Sequence, residues 1–404
     1  MVKRQWSIVN GYLCAMNIGF DAKRAYHNGT GLGFFSRVMI KLLAAYYPAN
    51  EYYLFNPKPG KLFKSETANI HEILPQSPLH KILSSAWRSK WVTRDLKRLH
   101  IDLYHGPSQE IPIGIPKTGI PSVVTIHDLF PELYPKDFKP IDVKIYRTKL
   151  RYACRNASKV MAISEETKQH IIRLYGTDPS KVEVAYQSCD PIFNVMESEE
   201  KKEEVREKYQ LPDQFFLHVG TIIERKNLLN ICKALHLVQK EIPLPLVVVG
   251  KGGAYKEKVK QYLSENNLEH KVIFLSDELA AAGKKPFIET EDFPALYQLS
   301  SAMIYPSFYE GFGMPVIEAM SGGVPVITST TSCMPEIAGD AAFLADPESP
   351  EAMAEGFRKF YGDAAYRQQA IEKGFQNVKR FARDAYAQSI MNIYQSAGMG
   401  AGKW

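Results

Sequence analysis

Short apolar runs alternate with longer segments of helical period along most of the chain, which is the pattern of βα units that feed a parallel sheet. In the first half the runs predict strands at Ile18–Asp21, Tyr52–Phe55, Asp102–His105, Val123–His127, Val160–Ser164 and Val182–Tyr186. The rhythm repeats in the second half at Phe215–Gly220, Leu246–Gly250, Val272–Leu275, Met303–Tyr305, Val324–Thr328 and Ala342–Ala345. Two doubly wound α/β sheets follow from this pattern. Glu197–Tyr209 is dense in Glu and Lys and is followed by Pro212, so it reads as a linker or a solvated helix. The expected division is therefore a first domain over residues 1–200 and a second over 201–383. Residues 384–404 carry Ala385, Tyr386, Ile390, Met391, Ile393 and Tyr394 at helical spacing with no strand after them, which predicts a closing helix and tail.

The length of 404 residues exceeds what one core organises, in keeping with two domains. Five scattered cysteines, Cys14, Cys154, Cys189, Cys232 and Cys333, form no CxxC pair and fit a reducing cytosol. A net charge of +6 favours anionic ligands or an anionic bilayer surface, but no DNA- or RNA-binding signature accompanies it. No run approaches the roughly 20 apolar residues that cross a bilayer, so any membrane association is expected to be peripheral. Trp6–Phe20 is broken by Asn10, Gly11 and Asn17 and does not read as a signal peptide; residues 1–15 are expected to lie outside the fold, with Met16 as an alternative start.

The chemistry concentrates in Pro306–Met320. Gly311 and Gly313 allow a tight turn after a strand, with Phe312 and Met314 beside them, and Pro315 suits the start of a helix. A helix N-terminus at the end of a parallel strand offers free N–H groups to a phosphate. Glu310 before the turn and Glu318 inside the helix supply carboxylates suited to sugar hydroxyls, and Glu318 is expected to stay ionised near the helix N-terminus. Gly220 ends the first strand of this half and leads to Arg225 and Lys226, a fork and a point charge for a diphosphate. Either cation alone reads equally well as a solvated surface residue.

In the first half, Asn28-Gly29-Thr30-Gly31-Leu32-Gly33 precedes an amphipathic helix but lacks the dinucleotide-binding spacing. His127-Asp128 ends an apolar strand, where a lone histidine is more often structural; His105 has the same placement with less company. Leu79–Leu99 mixes Trp87 and Trp91 with Arg88, Lys90, Arg94, Lys97 and Arg98 at helical spacing, and reads either as a core-packed helix with a basic face or as an interfacial helix.

Taken with Met334-Pro335-Glu336-Ile337-Ala338-Gly339-Asp340-Ala341-Ala342, these motifs closely resemble the family 4 glycosyltransferases, in particular the mannosyltransferase-like group of bacterial surface-glycan enzymes. The resemblance implies a GT-B fold, with two Rossmann-like domains facing across a cleft and the last helix crossing back to the first. It also implies retaining transfer from a nucleotide-sugar to a glycan or lipid-linked acceptor. The glutamates match the family's Glu-x7-Glu motif, which assigns Glu310 to the donor sugar and Glu318 to the ribose. Arg225 and Lys226 match its diphosphate-binding cations, Gly29, Gly31 and Gly33 its glycine loop, and His127 its histidine near the reacting sugar. The catalytic set is then Glu310, His127, Arg225 and Lys226. The donor set adds Gly29, Gly31, Gly33, Gly220, Gly311, Phe312, Gly313, Met314 and Glu318.

No cofactor is expected, and no metal, because there is no Asp-x-Asp pair and two cations stand where it would act. Two departures stand out: Tyr186-Gln187-Ser188-Cys189-Asp190 lacks the usual Asn and Gly before its acid, and 275–296 is long, with Ala280–Gly283 and Lys284-Lys285 inserted. Another GT-B activity, such as an epimerase or phosphorylase, and an inert carbohydrate-binding scaffold remain alternatives at this level.

Overall fold

The computed structural model describes residues 15–64, 67–281, 283 and 290–399. The expected N-terminal extension, save Ala15, and the Lys284-Lys285 insertion lie outside them. The chain divides into two compact units, one running to Tyr186 and resuming at Arg383, the other spanning Gln187–Ala382.

Unit 1 is built on β1 (Asn17–Asp21), β2 (Glu51–Phe55), β3 (Ile70–Ile73), β4 (Leu103–Gly106), β5 (Ser122–Ile126), β6 (Lys159–Ala162) and β7 (Val182–Val184). All pair in parallel, in the order β3-β2-β1-β4-β5-β6-β7. Period-two alternation splits the apolar residues between two faces. Ile18 and Phe20 pack with Met39, Ile40 and Leu43 of the helix Gly31–Tyr46, and with Tyr386, Ile390 and Tyr394 of the terminal helix Arg383–Met399. On the other face, Phe55, Tyr104, Val124 and Ile126 pack with Trp87, Leu96, Leu150 and Cys154. The terminal helix is therefore part of unit 1, and its apolar positions complete that core.

Unit 2 carries β8 (Phe216–Val219), β9 (Leu246–Val249), β10 (Val272–Phe274), β11 (Ala302–Tyr305), β12 (Val326–Ser329) and β13 (Ala342–Ala345), in the parallel order β10-β9-β8-β11-β12-β13. Phe216, Val248, Ile304 and Ile327 pack with Leu228, Ile231 and Leu235 of one helix and with Phe357 and Phe360 of another. In each sheet the strand order reverses once, between β1 and β4 and between β8 and β11. Such reversals open a crevice at the carboxyl ends of the strands.

Three details depart from the sequence reading. β3 has no expected counterpart: it is a four-residue edge strand, Ile-His-Glu-Ile, only partly buried, so no apolar run announces it. Leu79–Leu99 is not one helix but Pro78–Ile82, Ser84–Ala86, a π turn at Trp87–Trp91, and Val92–Arg98. Trp87 is fully buried and donates its indole N–H to Asp95 (2.7 Å), and Arg88 is buried against Asp21, so neither belongs to a solvated basic face. The division between units falls ahead of residue 200. Phe193 packs on Tyr297, Gln298 bonds the backbone at Val195 and Glu197, and the charged segment forms a helix, Glu199–Tyr209, tied through Lys208 and Tyr209 to Asp292.

Candidate active site

The unit 2 crevice is assembled from the segments that follow β8 and β11. After β8 the chain turns at Gly220 (φ 150°), and Glu224–Lys226 makes one short 3-10 turn that ends at Asn227 (φ 64°). The Asn227 amide donates to the carbonyls of Pro306 (3.0 Å) and Pro347 (2.7 Å), which fixes this turn to the segments after β11 and β13. Arg225 and Lys226 then converge on Glu310: Glu310 Oε1 lies 2.8 Å from Arg225 Nη1 and 2.6 Å from Lys226 Nζ, and accepts from the Tyr305 hydroxyl at 3.1 Å. Lys226 also donates to Tyr305, and Arg225 Nη1 to the Tyr309 carbonyl (2.6 Å). The Glu310 backbone is clamped from the far side, because its N–H donates to Ser332 Oγ (3.1 Å) and its carbonyl accepts from Ser332 and Cys333.

Burial pushes the Glu310 carboxyl upward, but Lys226 and Arg225 together pull harder and hold it at about 2. Burial lowers Lys226, and Glu310 opposes that fall. With Glu310 ionised, two cations and one carboxylate leave the cluster with a surplus of one positive charge.

Gly313 (φ 96°) caps the helix Met314–Ser321, and a Cβ there would approach Met334 Cε to 2.4 Å. The turn therefore requires glycine for both conformation and space. Phe312 is buried, its ring edge-on to Phe381 at 5.7 Å, so it can present only backbone to a ligand. Glu318 is half-buried and accepts from the Tyr297 hydroxyl at 2.9 Å, apart from the Glu310 ion cluster. Burial first, and then Asp190, raise its carboxyl to about 7 against the opposing pull of Tyr297 and Lys226. This corrects the expectation of a firmly ionised Glu318: burial outweighs a helix-end field worth about 0.3–1 kcal/mol. Asp190, in the atypical segment before residue 191, accepts from Ile192 N (3.1 Å) as a turn cap.

In unit 1 the loop preceding the helix Gly31–Tyr46 is held by Asn28, whose Oδ1 accepts from Thr30 N (2.7 Å) and Oγ1 (2.6 Å). A Cβ on Gly33 would sit 1.9 Å from the Asn28 carbonyl, whereas Gly29 and Gly31 are exposed with open space around them. His127 follows β5, and its Nε2 bonds the Pro107 carbonyl at 2.8 Å. A carbonyl can only accept, so Nε2 carries the proton and Nδ1 is left as the acceptor. The ring meets Phe35 of the glycine-loop helix edge-on at 4.4 Å, and burial, with Arg24 adding to it, lowers the imidazole to about 4. His105 is a core residue between Tyr394 (2.6 Å) and Thr125 (2.7 Å).

Unit 2 thus gathers Gly220, Arg225, Lys226 and Glu310, with Gly311, Phe312, Gly313, Met314 and Glu318 on the segment that follows; unit 1 gathers Gly29, Gly31, Gly33 and His127. Sequence reasoning missed Tyr305, Tyr297 and His218. The last is fully buried, donates from Nδ1 to the Ile304 carbonyl (2.8 Å), and stacks on Tyr305 at 6.1 Å. Tyr305 was findable as the last residue of an apolar strand at the reversal point, and the other two carry no sequence signal. Among the described residues no group of three or more His, Cys, Asp or Glu side chains is arranged to hold a metal ion, and no helix is long and apolar enough to cross a membrane.

Residues 37–191 match the family described as Glycosyltransferase Family 4, and residues 200–377 that described as Glycosyl transferases group 1. The O-antigen chain mannosyltransferase B of Escherichia coli is 28% identical over 401 residues, covering 94% of this chain and 100% of that one. Among solved structures, a glycosyltransferase from Rickettsia africae superposes with a TM-score of 0.71 at 18% identity, over 95% of this chain and 98% of its own. Anabaena HepE, solved in complex with UDP-glucose, gives 0.70 at 20% identity, over 94% and 100%.

Proposed function

The chain belongs to the family 4 glycosyltransferases and has their GT-B fold, and on that premise we propose that it transfers a mannosyl unit, with retention of configuration, from a nucleotide-sugar to a growing surface glycan. The mannosyl and surface-glycan parts of this reading rest on the name of the E. coli relative. The observation that carries the donor chemistry is the Arg225–Lys226–Glu310 cluster, a positively charged crevice at the carboxyl ends of β8 and β11.

In this reading the donor diphosphate is met by the side chains of Arg225 and Lys226 and by the backbone N–H groups around Gly311, Gly313 and Met314. As the bond from the sugar to the diphosphate breaks, negative charge grows on the leaving oxygen and the two cations neutralise it. Glu310, ionised at any working pH, has no proton to give. It accepts from sugar hydroxyls and offsets positive charge developing at the sugar carbon. Glu318 pairs with the ribose diol. His127, neutral and with Nε2 committed to Pro107, presents Nδ1 to a sugar hydroxyl. The bland reading of Arg225 and Lys226 as surface residues has no support in their side chains, which are largely buried on one carboxylate. Arg225→Ala should lower kcat by about 10²- to 10³-fold, and an unchanged kcat would remove this role.

We also propose that the reaction needs no metal, since Arg225 and Lys226 supply the charge that a divalent ion would. A peripheral contact at the cytoplasmic face of an anionic bilayer completes the reading. It is supported by a groove of about 700 Å3 in unit 1 lined by Lys90, Arg94, Lys97 and Lys117, none of which has an ion-pair partner among the described residues. Beside it, His80 stacks on Trp91 (5.1 Å), and Leu79, Ile82 and Leu83 of the same segment are exposed. Changing the four cations to Gln should abolish sedimentation with phosphatidylglycerol vesicles at low salt; binding that survives the change would refute this contact.

A further inference from the structure

Tyr305 is the last residue of β11 and is fully buried, yet its hydroxyl stands inside the ion cluster of the unit 2 crevice. The sheet leaves this side chain little freedom. Tyr305 pairs with Thr328 of β12, whose Oγ1 donates to the Tyr305 carbonyl (2.9 Å), and its ring stacks on His218 of β8 with the two planes 29° apart. His218 is itself tied by Nδ1 to the Ile304 carbonyl (2.8 Å), and burial lowers its imidazole to about 4, so the ring beside the cluster is neutral. A phenol held on both sides at the point where the strand order reverses does not swing out after a ligand. It acts through the groups it touches.

Those groups are Glu310 and Lys226. Burial first, and then Glu310, hold the Tyr305 hydroxyl well above its ordinary range, so it keeps its proton and donates it to Glu310 Oε1 at 3.1 Å. The same hydroxyl oxygen accepts from Lys226, whose ammonium also lies 4.5 Å from the centre of the Tyr305 ring. Burial opposes the charge on Lys226, and the face of an aromatic ring supports it. Arg225, Lys226 and Tyr305 all meet one oxygen of the carboxylate, Oε1. A carboxylate oxygen offers about two lone-pair directions, so three donors compete there. Tyr305 settles the competition, because its O–H occupies one direction while its oxygen and ring give Lys226 a second place to bind. With two of the three ammonium N–H groups turned to Glu310 and Tyr305, the third is directed away from both. Once the hydroxyl is removed, the ammonium is drawn onto Glu310 alone, where its charge is neutralised.

We propose that Tyr305 is a positioning residue of the donor site, whose hydroxyl and ring keep the Lys226 ammonium from collapsing onto Glu310 and hold it toward the diphosphate. The inference rests on the donor reading of this crevice and adds to it a residue that touches no substrate. Its effect is greatest as the sugar leaves, when the diphosphate gains negative charge. A free nucleoside diphosphate already carries that charge, so its binding reports the same contact without turnover.

The test is a double-mutant cycle of Tyr305→Phe with Lys226→Ala, read by titration calorimetry of the full chain with UDP, GDP and ADP and by turnover of the matching nucleotide-sugar. Tyr305→Phe keeps the buried ring and loses only the hydroxyl. With Lys226 present it should weaken binding of the preferred nucleoside diphosphate by about 10-fold and lower kcat by a similar factor, because a bond to a charged group is lost. Donor KM should stay within about twofold, and in the Lys226→Ala background the second change should alter neither affinity nor kcat by more than about twofold. Tyr394→Phe removes a buried hydroxyl from unit 1, controls for lost stability, and should leave the affinity as it is. Equal losses in both backgrounds, or a loss that Tyr394→Phe matches, would mean that Tyr305 only supports the fold; no loss with Lys226 present would mean that the hydroxyl does nothing for it. Each of these results overturns the proposal. If the wild type binds a nucleoside diphosphate but turns over no nucleotide-sugar, the transfer reading fails while the affinity cycle still decides the role of Tyr305. Binding of none of the three by the wild type overturns both.

Discussion

Removing the Glu310 side chain leaves Arg225 and Lys226 facing each other with no carboxylate between them, and the surplus charge of the cluster rises by one. Glu310→Ala should therefore bind a free nucleoside diphosphate at least as tightly as the wild type while transfer falls by about 10²-fold or more. Titration calorimetry beside a transfer assay checks both; a parallel loss of affinity and rate would mean that Glu310 only supports the fold. Glu318 gives a pH signature. Its carboxyl is raised to about 7, so it is protonated below that pH in the folded chain and ionised above it. If the ionised form holds the ribose, donor affinity should strengthen as pH rises from 6 to 8, and the dependence should vanish in Glu318→Gln. The same group makes the folded state the better proton binder between its ordinary carboxylate range and about 7, so its contribution to stability declines as pH rises through that window. Both glutamates were legible from their spacing, but the charge state of Glu318 was not, since it is set first by burial, with Asp190 adding to it and Tyr297 opposing it, all from segments distant in sequence.

The terminal helix shows how an element is tied to its sheet. Tyr394 reaches His105 at 2.6 Å in a fully buried pair, and burial keeps the imidazole neutral at about 3. Tyr394→Phe leaves His105 Nδ1 without that partner and should cost roughly 1–3 kcal/mol in urea denaturation, with nucleotide affinity unchanged. A neutral outcome would mean that water or a shifted side chain replaces the hydroxyl. The helix itself was legible because its apolar positions keep the helical period. The segment 79–99 keeps that period too, yet it breaks into four pieces, because burying Trp87 and delivering Arg88 to Asp21 needs a π turn that periodicity does not encode. β3 was invisible for the opposite reason: as a half-covered edge strand, its pairing to β2 comes from backbone hydrogen bonds and needs no apolar run.

Across the molecule, the alternation of strands and helices made two parallel sheets readable, and the reversals of strand order mark where each opens a crevice. Which charges stand in each crevice depends on loops, and these were readable only where a motif spans few residues, as from Gly220 to Lys226 and from Glu310 to Glu318. In unit 1 the ion network of Asp21, Arg88, Glu110 and Lys149 joins residues from four separated segments and left no trace in the sequence. The measurement that bears most directly on the whole account is sugar release and transfer with mannose and glucose donors carrying uridine, guanosine or adenosine diphosphate, run in EDTA with wild type, Arg225→Ala and Lys226→Ala. The account predicts turnover of one donor by the wild type in EDTA and a loss of about 10²-fold or more in both variants. Turnover that requires added manganese, or that persists undiminished without Arg225 and Lys226, would contradict it.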